Sequence, residues 1–320
     1  DFLYGFSAGA HLYFLTRMPS PKIIAQSFSE IRPRVISCVP LIVEKIIKKD
    51  ILPRIDNKIG KLLLRMPIVN DKIKADMRKK AMEVFGSNFD EIIIGGAPFN
   101  AEVERFLKQI GFPYTIAYGM TECGPIICSS RWETLKLASC GKATTRMEVK
   151  IDSPDPQNVA GEIICKGANL MLGYYKNEAA TAEAITDGWF HTGDIGKLGH
   201  DGFLFITGRM KNVIILQNGK NVYPEEIEDK LSAMCEYIGE IIIFASKKDE
   251  NSEQTVLGAE IFPDAERAKI HGISDVQEVI KKAISDYNEK EPSYKVIKNI
   301  VFRTEEFEKT TSKKIKRKYN

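Results

Sequence analysis

Two short segments in the first half of the 320-residue chain combine residue types that could bind a nucleotide. Residues 95–98 read Gly-Gly-Ala-Pro after a run of buried-type residues, and glycines let a flat ligand approach the backbone closely. Residues 118–122 read Tyr-Gly-Met-Thr-Glu. The ring could stack a base, the hydroxyl could contact a phosphate oxygen and the carboxylate could hold Mg²⁺. A plain strand-to-helix turn and a turn with incidental polar residues remain the alternatives.

Three segments in the second half add further binding chemistry. Residues 187–194 read Asp-Gly-Trp-Phe-His-Thr-Gly-Asp, and an Asp that follows a glycine turn can accept both hydroxyls of a ribose. An Asx turn is the alternative for this segment. Residues 208–211, Gly-Arg-Met-Lys, and the basic tail 309–317 could contact anionic groups, or the tail could be a solvated terminus near nucleic acid or lipid.

Composition and missing motifs exclude several classes of function. The net charge is only +3, too small for a dominant attraction to nucleic acid. No GxxxxGK[ST], GxGxxG or HExxH motif is present, and four histidines do not favour a histidine-based metal site. The six cysteines include no CxxC pair, so we expect free thiols in a reducing compartment. The short apolar runs exclude a transmembrane helix.

The elements that must position these residues follow from periodicity. Residues 91–94 predict a buried strand that leads into the Gly-Gly-Ala-Pro turn, and a helix with Val103, Phe106 and Leu107 on one face follows and stops at Gly111. This order predicts a parallel sheet with helical crossovers, in which ligands bind beyond the carboxyl ends of strands. Residues 41–86 predict helices whose basic faces are either solvated or in contact with anionic lipid or an acidic ligand.

The remainder predicts a mostly antiparallel β unit over about 141–208, followed by a compact α+β unit. Strands are expected at 148–151, 162–165 and 203–207 in the former. The latter should contain a strand over 212–216, a hairpin turn at Asn218-Gly219, a helix opened by Pro224 and a strand over 240–245. A further helix should begin at Ser274, with Gln277 completing a capping box. The boundary is expected at residues 208–211.

Taken in order and spacing, these segments resemble the adenylate-forming superfamily of acyl-CoA synthetases, luciferases and peptide-synthetase adenylation domains. The matching segments run across the chain from about residue 90 and are 95–98, 118–122, 161–163, 173–175, 189–194, 208–211, 219–228 and 309–317. Val39-Pro40 followed by Val-Glu-Lys-Ile at 43–46 is most similar to long-chain fatty acyl-CoA synthetases, although Leu41 stands where Arg is usual.

The resemblance implies an α/β fold with α+β character. We expect a parallel sheet flanked by helices plus a small β-barrel-like unit, and then a small mobile α+β C-terminal domain. Residues 1–208 would be the C-terminal part of the large adenylation domain, parallel α/β to about 140 and mostly β over about 141–208. Residues 209–320 would be the small mobile domain. The superfamily's Ser/Thr/Gly-rich phosphate loop is absent, so the chain resembles the C-terminal portion of a longer synthetase.

The resemblance also implies site residues, which begin with the nucleotide. Tyr118 would stack on adenine, with Gly95, Gly96 and Ala97 lining the same pocket. Thr121 would contact the α-phosphate and act in catalysis.

The metal, the acyl chain and the ribose have separate residues by the same resemblance. Glu122 would act in catalysis by helping to hold Mg²⁺, and Gly119 and Met120 would border the nucleotide and the acyl tunnel. Asp194 and Arg209 would grip the ribose hydroxyls.

Three positions are implied for the moving parts. Lys211 falls at the hinge, and Gly219 lies on the loop that meets the adenylate and pantetheine. Lys314 aligns with the lysine that reaches the carboxylate and the α-phosphate. The glycine usual before that lysine is Lys313 here, which leaves two registers for the tail, and Ile315 and Arg317 favour Lys314.

The implied activity is ATP-dependent activation of a long-chain fatty acid through an acyl-adenylate, followed by transfer to CoA. ATP, Mg²⁺ and CoA are the implied cofactor and co-substrates, and no nucleic-acid partner is expected. The alternatives are an enzyme that loads a carrier protein or uses a shorter or aryl acid, and a module that binds nucleotide or acyl-adenylate without turnover. We expect a cytoplasmic protein with peripheral contact at the inner face of a membrane, and residues 1–320 alone should not form acyl-CoA.

Overall fold

The computed structural model describes residues 2–15, 21–51, 70–217, 219–247, 255–310 and 315–317. Two compact units share the chain, residues 1–144 and residues 145–320. In the described residues, no helix is long and apolar enough to cross a bilayer. Among the same residues no disulfide joins any of the six cysteines.

The N-terminal unit is a five-stranded sheet with helices. Its strands are β1 (Val35–Cys38), β2 (Glu91–Gly95), β3 (Tyr114–Gly119), β4 (Ile126–Ser129) and β5 (Lys142–Ala143), paired in that order. Its helices are α1 (Phe2–Ser7), α2 (Pro21–Ile31), α3 (Pro40–Ile46, continued by a π-helical turn over Ile47–Ile51), α4 (Asn70–Val84) and α5 (Ala101–Gln109). Strands β1, β2 and β3 are parallel, and β4 and β5 are added antiparallel.

Burial of alternate residues explains the central strands of this sheet. In β2, Ile92 and Ile94 are fully buried. Helix α5 packs Val103 and Leu107 onto the same core, and its first turn is capped by the Asn100 side chain, which accepts hydrogen bonds from two backbone amides. The predicted strand, turn and helix in this region are confirmed.

The first part of the C-terminal unit is a β sheet. Its strands are β6 (Met147–Asp152), β7 (Gly161–Gly167), β8 (Ile185–Thr186), β9 (Trp189–Leu198) and β10 (Leu204–Arg209), with the short helix α6 (Glu178–Ala184) before β8. The order is β10–β9–β7–β6, all antiparallel, and β8 pairs with β9. The mostly antiparallel β unit predicted for this stretch is confirmed.

The second part of the unit carries its own sheets and core. Its strands are β11 (Ile214–Ile215), β12 (Asn221–Val222), β13 (Ile238–Lys247), β14 (Thr255–Pro263) and β15 (Ile297–Phe302). Its helices are α7 (Pro224–Met234), α8 (Ala265–Ile270) and α9 (Val276–Asn288). Strand β14 pairs antiparallel with β13 and parallel with β15, and the core between sheet and helices includes Ile227, Ile243 and Ile284.

The predicted fold class is confirmed, with local differences. Helix α9 is capped by Asp275, whose carboxylate accepts from Glu278 N, so the predicted Ser274 cap is wrong by one residue. The strand predicted over 212–216 shrinks to β11 because a 3₁₀ turn occupies Met210–Asn212. Strand β1 was not predicted. Part of the helical stretch 41–86, residues 52–69, lies outside the described residues. The boundary at 208–211 falls inside the C-terminal unit and stays a prediction.

Candidate functional site

The two segments predicted to bind the nucleotide in the N-terminal unit come together at one edge of the sheet. Strands β2 and β3 are parallel neighbours with Gly95 opposite Ala117, so residues 95–97 and 118–122 extend from adjacent carboxyl ends. A side chain at Gly95 would lie 3.0 Å from the Ala117 carbonyl oxygen. Gly96 has a φ of +89°, and a Cβ there would meet nothing within 4 Å. This turn therefore presents bare backbone to open space.

Gly119 fixes the turn that carries the polar residues. A Cβ at this position would overlap the Pro125 carbonyl oxygen and lie 2.9 Å from Ile126 Cα. That same oxygen accepts a hydrogen bond from Met120 N at 2.8 Å. The close approach of β4 thereby holds the 3₁₀ turn Thr121–Cys123 directly beyond the end of β3.

The polar residues of this edge differ in exposure. Thr121 is exposed and Glu122 is half-buried, whereas Tyr118 is buried with only 8% of its surface accessible. The described residues contain no cluster of three or more His, Cys, Asp or Glu that could hold a metal alone. The half-buried Glu122 carboxylate is a donor of the kind that Mg²⁺ uses, since this ion typically binds one or two carboxylates together with substrate phosphates and water.

A residue without a predicted role, Glu44, supports the turn from α3. Its Oε1 accepts a hydrogen bond from Asn100 N at 2.9 Å, just after the 95–98 turn and at the cap of α5. Burial raises the pKa of Glu44, against the opposing effects of the Asn100 amide and Lys48. The Val-Glu-Lys-Ile segment drew attention to Glu44 in the sequence. Nothing in the sequence indicated that Glu44 would accept a hydrogen bond from Asn100.

In the C-terminal unit, the structure brings Asp194 and Arg209 together. The two residues are register partners on β9 and β10, and Arg209 Nε lies 3.0 Å from Asp194 Oδ1. The Asp194 side chain is 8% exposed, whereas that of Arg209 is 56% exposed. A buried carboxylate beside a more accessible guanidinium offers both an acceptor and donors, as recognition of a diol requires.

Glu162 holds the backbone that precedes Asp194. Its Oε1 accepts from Gly193 N at 3.0 Å, and its Oε2 lies 2.8 Å from His191 Nδ1. Gly193 has a φ of +69°, and Thr192 Oγ1 accepts from Asp194 N at 3.1 Å. Sequence reasoning placed Glu162 in a matching segment without giving it a role, because its partners lie about thirty residues away.

Lys211 and Gly219 occupy exposed turns. Lys211 lies in the 3₁₀ turn Met210–Asn212 that follows β10, and its role as a hinge stays a prediction. Gly219 has a φ of +73° and lies between β11 and β12, which pair antiparallel as the predicted hairpin requires.

Lys314, and Lys313 of the alternative register, lie outside the described residues. The chain on either side of them is anchored. Lys309 and Ile315 form an antiparallel bridge, and Lys309 Nζ lies 2.5 Å from Glu240 Oε1. Burial lowers the pKa of Lys309, but its carboxylate partners Glu240 and Glu306 outweigh that effect and raise the pKa.

Two sequence models of known protein families match the chain. The sequence model of the AMP-binding enzymes matches residues 1–175, more than half of the chain. The chain belongs to the AMP-binding enzyme family. The model of the AMP-binding enzyme C-terminal domain matches residues 211–319.

This AMP-binding enzyme has curated relatives with different substrates. It is 36% identical to the long-chain-fatty-acid–CoA ligase FadD15 of Mycobacterium bovis over 174 residues. This aligned stretch covers 54% of this chain and 28% of the relative. It is 38% identical to the 2-succinylbenzoate–CoA ligase of Bacillus cytotoxicus over 154 residues. This aligned stretch covers 47% of this chain and 32% of the relative. The matched parts thus amount to about a third of each relative.

The solved structure of the Bacillus subtilis o-succinylbenzoate CoA synthetase in complex with its acyl-adenylate intermediate is similar in fold. It matches with a TM-score of 0.73 and 22% identity over 98% of this chain and 56% of that chain. The chain of this AMP-binding enzyme therefore spans about half the length of the solved enzyme and shares its fold.

Proposed function

We propose that this AMP-binding enzyme activates a long-chain fatty acid with ATP and transfers the acyl group to CoA. The observation that carries the activation step is the placement of residues 95–97 and 118–122 at adjacent carboxyl ends of β2 and β3. That edge is where open α/β sheets bind ligands. The similarity to a long-chain-fatty-acid–CoA ligase over 174 residues supports the choice of acid.

The chemistry explains why such residues are needed. A carboxylate is a poor electrophile at neutral pH. In the first step its oxygen attacks the α-phosphorus of ATP, the bond to the bridging oxygen breaks, and pyrophosphate leaves. In the second step the CoA sulfur attacks the acyl carbonyl, loses its proton and displaces AMP. The first step brings two anions together, so positive charge must offset their repulsion.

The N-terminal unit would supply the phosphate and base contacts. In this proposal the ring of Tyr118 and the bare backbone of 95–97 contact adenine. The exposed hydroxyl of Thr121 donates to an α-phosphate oxygen. Glu122 would help to hold Mg²⁺, whose chemistry when bound is to offset phosphate charge.

The C-terminal unit would supply the ribose and lysine contacts. Asp194 accepts from the ribose hydroxyls and Arg209 orients them. Lys314 then donates to the substrate carboxylate and the α-phosphate. Lys211 would be the hinge about which the small domain turns between the two steps, and Gly219 would approach the pantetheine arm.

An aryl acid is the second candidate substrate. The identity to a 2-succinylbenzoate–CoA ligase, 38% over 154 residues, favours it as strongly as identity alone favours a fatty acid. A feruloyl-CoA synthase of Amycolatopsis is 30% identical over 187 residues. A carrier-protein thiol in place of CoA is the remaining variant of the second step.

The test is a thioester assay on the full-length natural protein with ATP, Mg²⁺, CoA and acids from acetate to long saturated chains, with 2-succinylbenzoate included. We expect long-chain acyl-CoA, its loss in Lys314→Ala, and its retention in the matched control Lys313→Ala. Thioester formed from 2-succinylbenzoate alone would replace the fatty acid with the aryl acid. Acyl-AMP without thioester would move the acceptor to a carrier protein. A wild-type protein that binds nucleotide but forms neither product would overturn the enzymatic proposal.

A further inference from the structure

Glu225, in the first turn of α7, contacts two other segments. These are the 3₁₀ turn Met210–Asn212, here called the hinge turn, and the tail at Arg317. Glu225 Oε1 accepts a hydrogen bond from Asn212 Nδ2, in the 3₁₀ turn that contains Lys211. The same oxygen lies 3.6 Å from Arg317 Nη2, in the tail three residues beyond Lys314. The Glu225 side chain is 21% exposed and that of Arg317 is 18% exposed, so water screens this contact only in part.

The second oxygen of Glu225 faces the end of β10. A Cβ at Gly208 would lie 2.8 Å from Glu225 Oε2. In the part of the chain that the structure describes, this oxygen is buried and has no hydrogen-bond partner. A buried acceptor without a donor is unfavourable, so this contact opposes the present arrangement of β10 and α7.

The tail cation is held independently of Glu225. Arg317 Nη2 lies 2.5 Å from Glu228 Oε2, one turn further along α7, and Arg317 Nη1 lies 3.4 Å from the Ile243 carbonyl oxygen. Glu228 Oε1 in turn accepts from Ile243 N at 2.7 Å. Arg317 is thus fixed to α7 and β13, and Glu225 connects this fixed point to the hinge turn.

We propose that Glu225 is a positioning residue that couples the hinge turn to the tail and so sets the balance between two arrangements of the small domain. The inference rests on the proposed function in taking Lys211 as the hinge and Lys314 as the reacting lysine. Rotation at residues 210–212 changes the backbone that presents Asn212 and moves Gly208 relative to α7. The Asn212 contact favours the arrangement described above, and the unpartnered oxygen at Gly208 opposes it.

Limited trypsin digestion of the full-length protein tests the coupling without any substrate. Trypsin cleaves after Arg209 and Lys211, both exposed. We expect Glu225→Ala to raise the cleavage rate at these bonds about tenfold, as loss of a charge-assisted contact should, with Glu225→Gln between it and wild type. The matched control is Glu226→Ala. In the wild-type chain the Glu226 carboxylate pairs with Lys295 at 2.9 Å and, among the described residues, not with the hinge turn or the tail. Equal cleavage of the Glu225→Ala and Glu226→Ala variants at equal melting temperature would overturn the proposal.

A double-mutant cycle with Gly208 gives a second, independent readout. Gly208→Ala should push the Glu225 carboxylate away and raise the cleavage rate by itself, and it should add nothing in the Glu225→Ala background. Fully additive effects would overturn the coupling.

The half-reactions then connect the coupling to catalysis. In Glu225→Ala, the rate of one half-reaction, adenylation or thioester formation, should change at least fivefold more than the rate of the other. The KM for ATP should stay unchanged. A parallel loss of both steps would reduce Glu225 to a structural role. A wild-type protein without acyl-adenylate would overturn the proposed function alone, because the cleavage cycle would still decide the coupling.

Discussion

Gly119→Ala is the substitution whose effect the structure determines most directly. The new methyl group would overlap the Pro125 carbonyl oxygen and approach Ile126 Cα to 2.9 Å, closer than Cβ atoms ordinarily come. The obstacle is backbone rather than a flexible side chain, so β4 must move away from β3 by about 1 Å. The φ of Gly119 is not positive, so crowding, not backbone strain, is the cause.

The expected magnitude follows from the contacts that this movement breaks. The hydrogen bond from Met120 N to the Pro125 carbonyl is 2.8 Å long, and a shift of this size takes it beyond hydrogen-bond distance. The pairing of Gly119 with Ile126 is strained in the same way. Losing such contacts in a partly buried strand edge should cost about 2 to 4 kcal/mol, or roughly a 30- to 1,000-fold increase in local opening.

Hydrogen–deuterium exchange of the full-length protein measures this opening at the Met120 amide. The matched control is Gly202→Ala, where φ is +80° and a Cβ meets nothing within 4 Å, so only backbone strain of about 1–2 kcal/mol applies. Met120 exchange should rise in Gly119→Ala and stay at the wild-type rate in Gly202→Ala. Unchanged exchange across residues 114–128 in Gly119→Ala would refute the close approach of β4.

Two further predictions concern buried carboxylates. Burial raises the pKa of Glu228 to about 7 despite Arg317, above its ordinary value of 4.5. The folded state therefore keeps a proton that the unfolded state has lost, and the free energy of unfolding should fall by about 3 kcal/mol between pH 4.5 and 7. Urea unfolding of Glu228→Gln at several pH values should lack this part of the slope, and an identical slope would contradict the burial argument. Glu44→Ala should lower the free energy of unfolding by about 1–3 kcal/mol through the unpaired Asn100 amide. Glu44→Gln, which keeps a carbonyl acceptor, should lower it less, so equal losses would argue against this hydrogen bond.

Local features were predictable because they depend on neighbours in sequence. The glycine turn at residues 95–98 follows from an apolar run broken by residues that cannot continue a strand, and the helix after it follows from 3.6-residue spacing. The cap of α9 was misplaced because Ser274 and Asp275 both have oxygens suited to that position, and only the backbone geometry shows that Asp275 accepts from Glu278 N.

In the candidate site, too, the sequence identified individual residues, whereas their contacts depend on the fold. Residue type and order identified Asp194 and Arg209, but their contact depends on the register of β9 and β10, and a shift of one residue would turn each side chain to the other face. The supporting hydrogen bonds of Glu44 and Glu162 were not predicted, because the backbone amides that these side chains accept from belong to distant segments.

The sequence by itself determined the α/β class, the order of elements and the resemblance to adenylate-forming enzymes, because periodicity, turn residues and motif order are written along the chain. Only the tertiary structure decided which carboxylate meets which partner. Glu228 and Arg317 lie 89 residues apart and meet through a folded core, and Glu225 reaches the hinge turn and the tail only because α7 packs beside β10 and β13. Such pairings depend on distances in space, which packing and strand register set and which residue order does not encode locally.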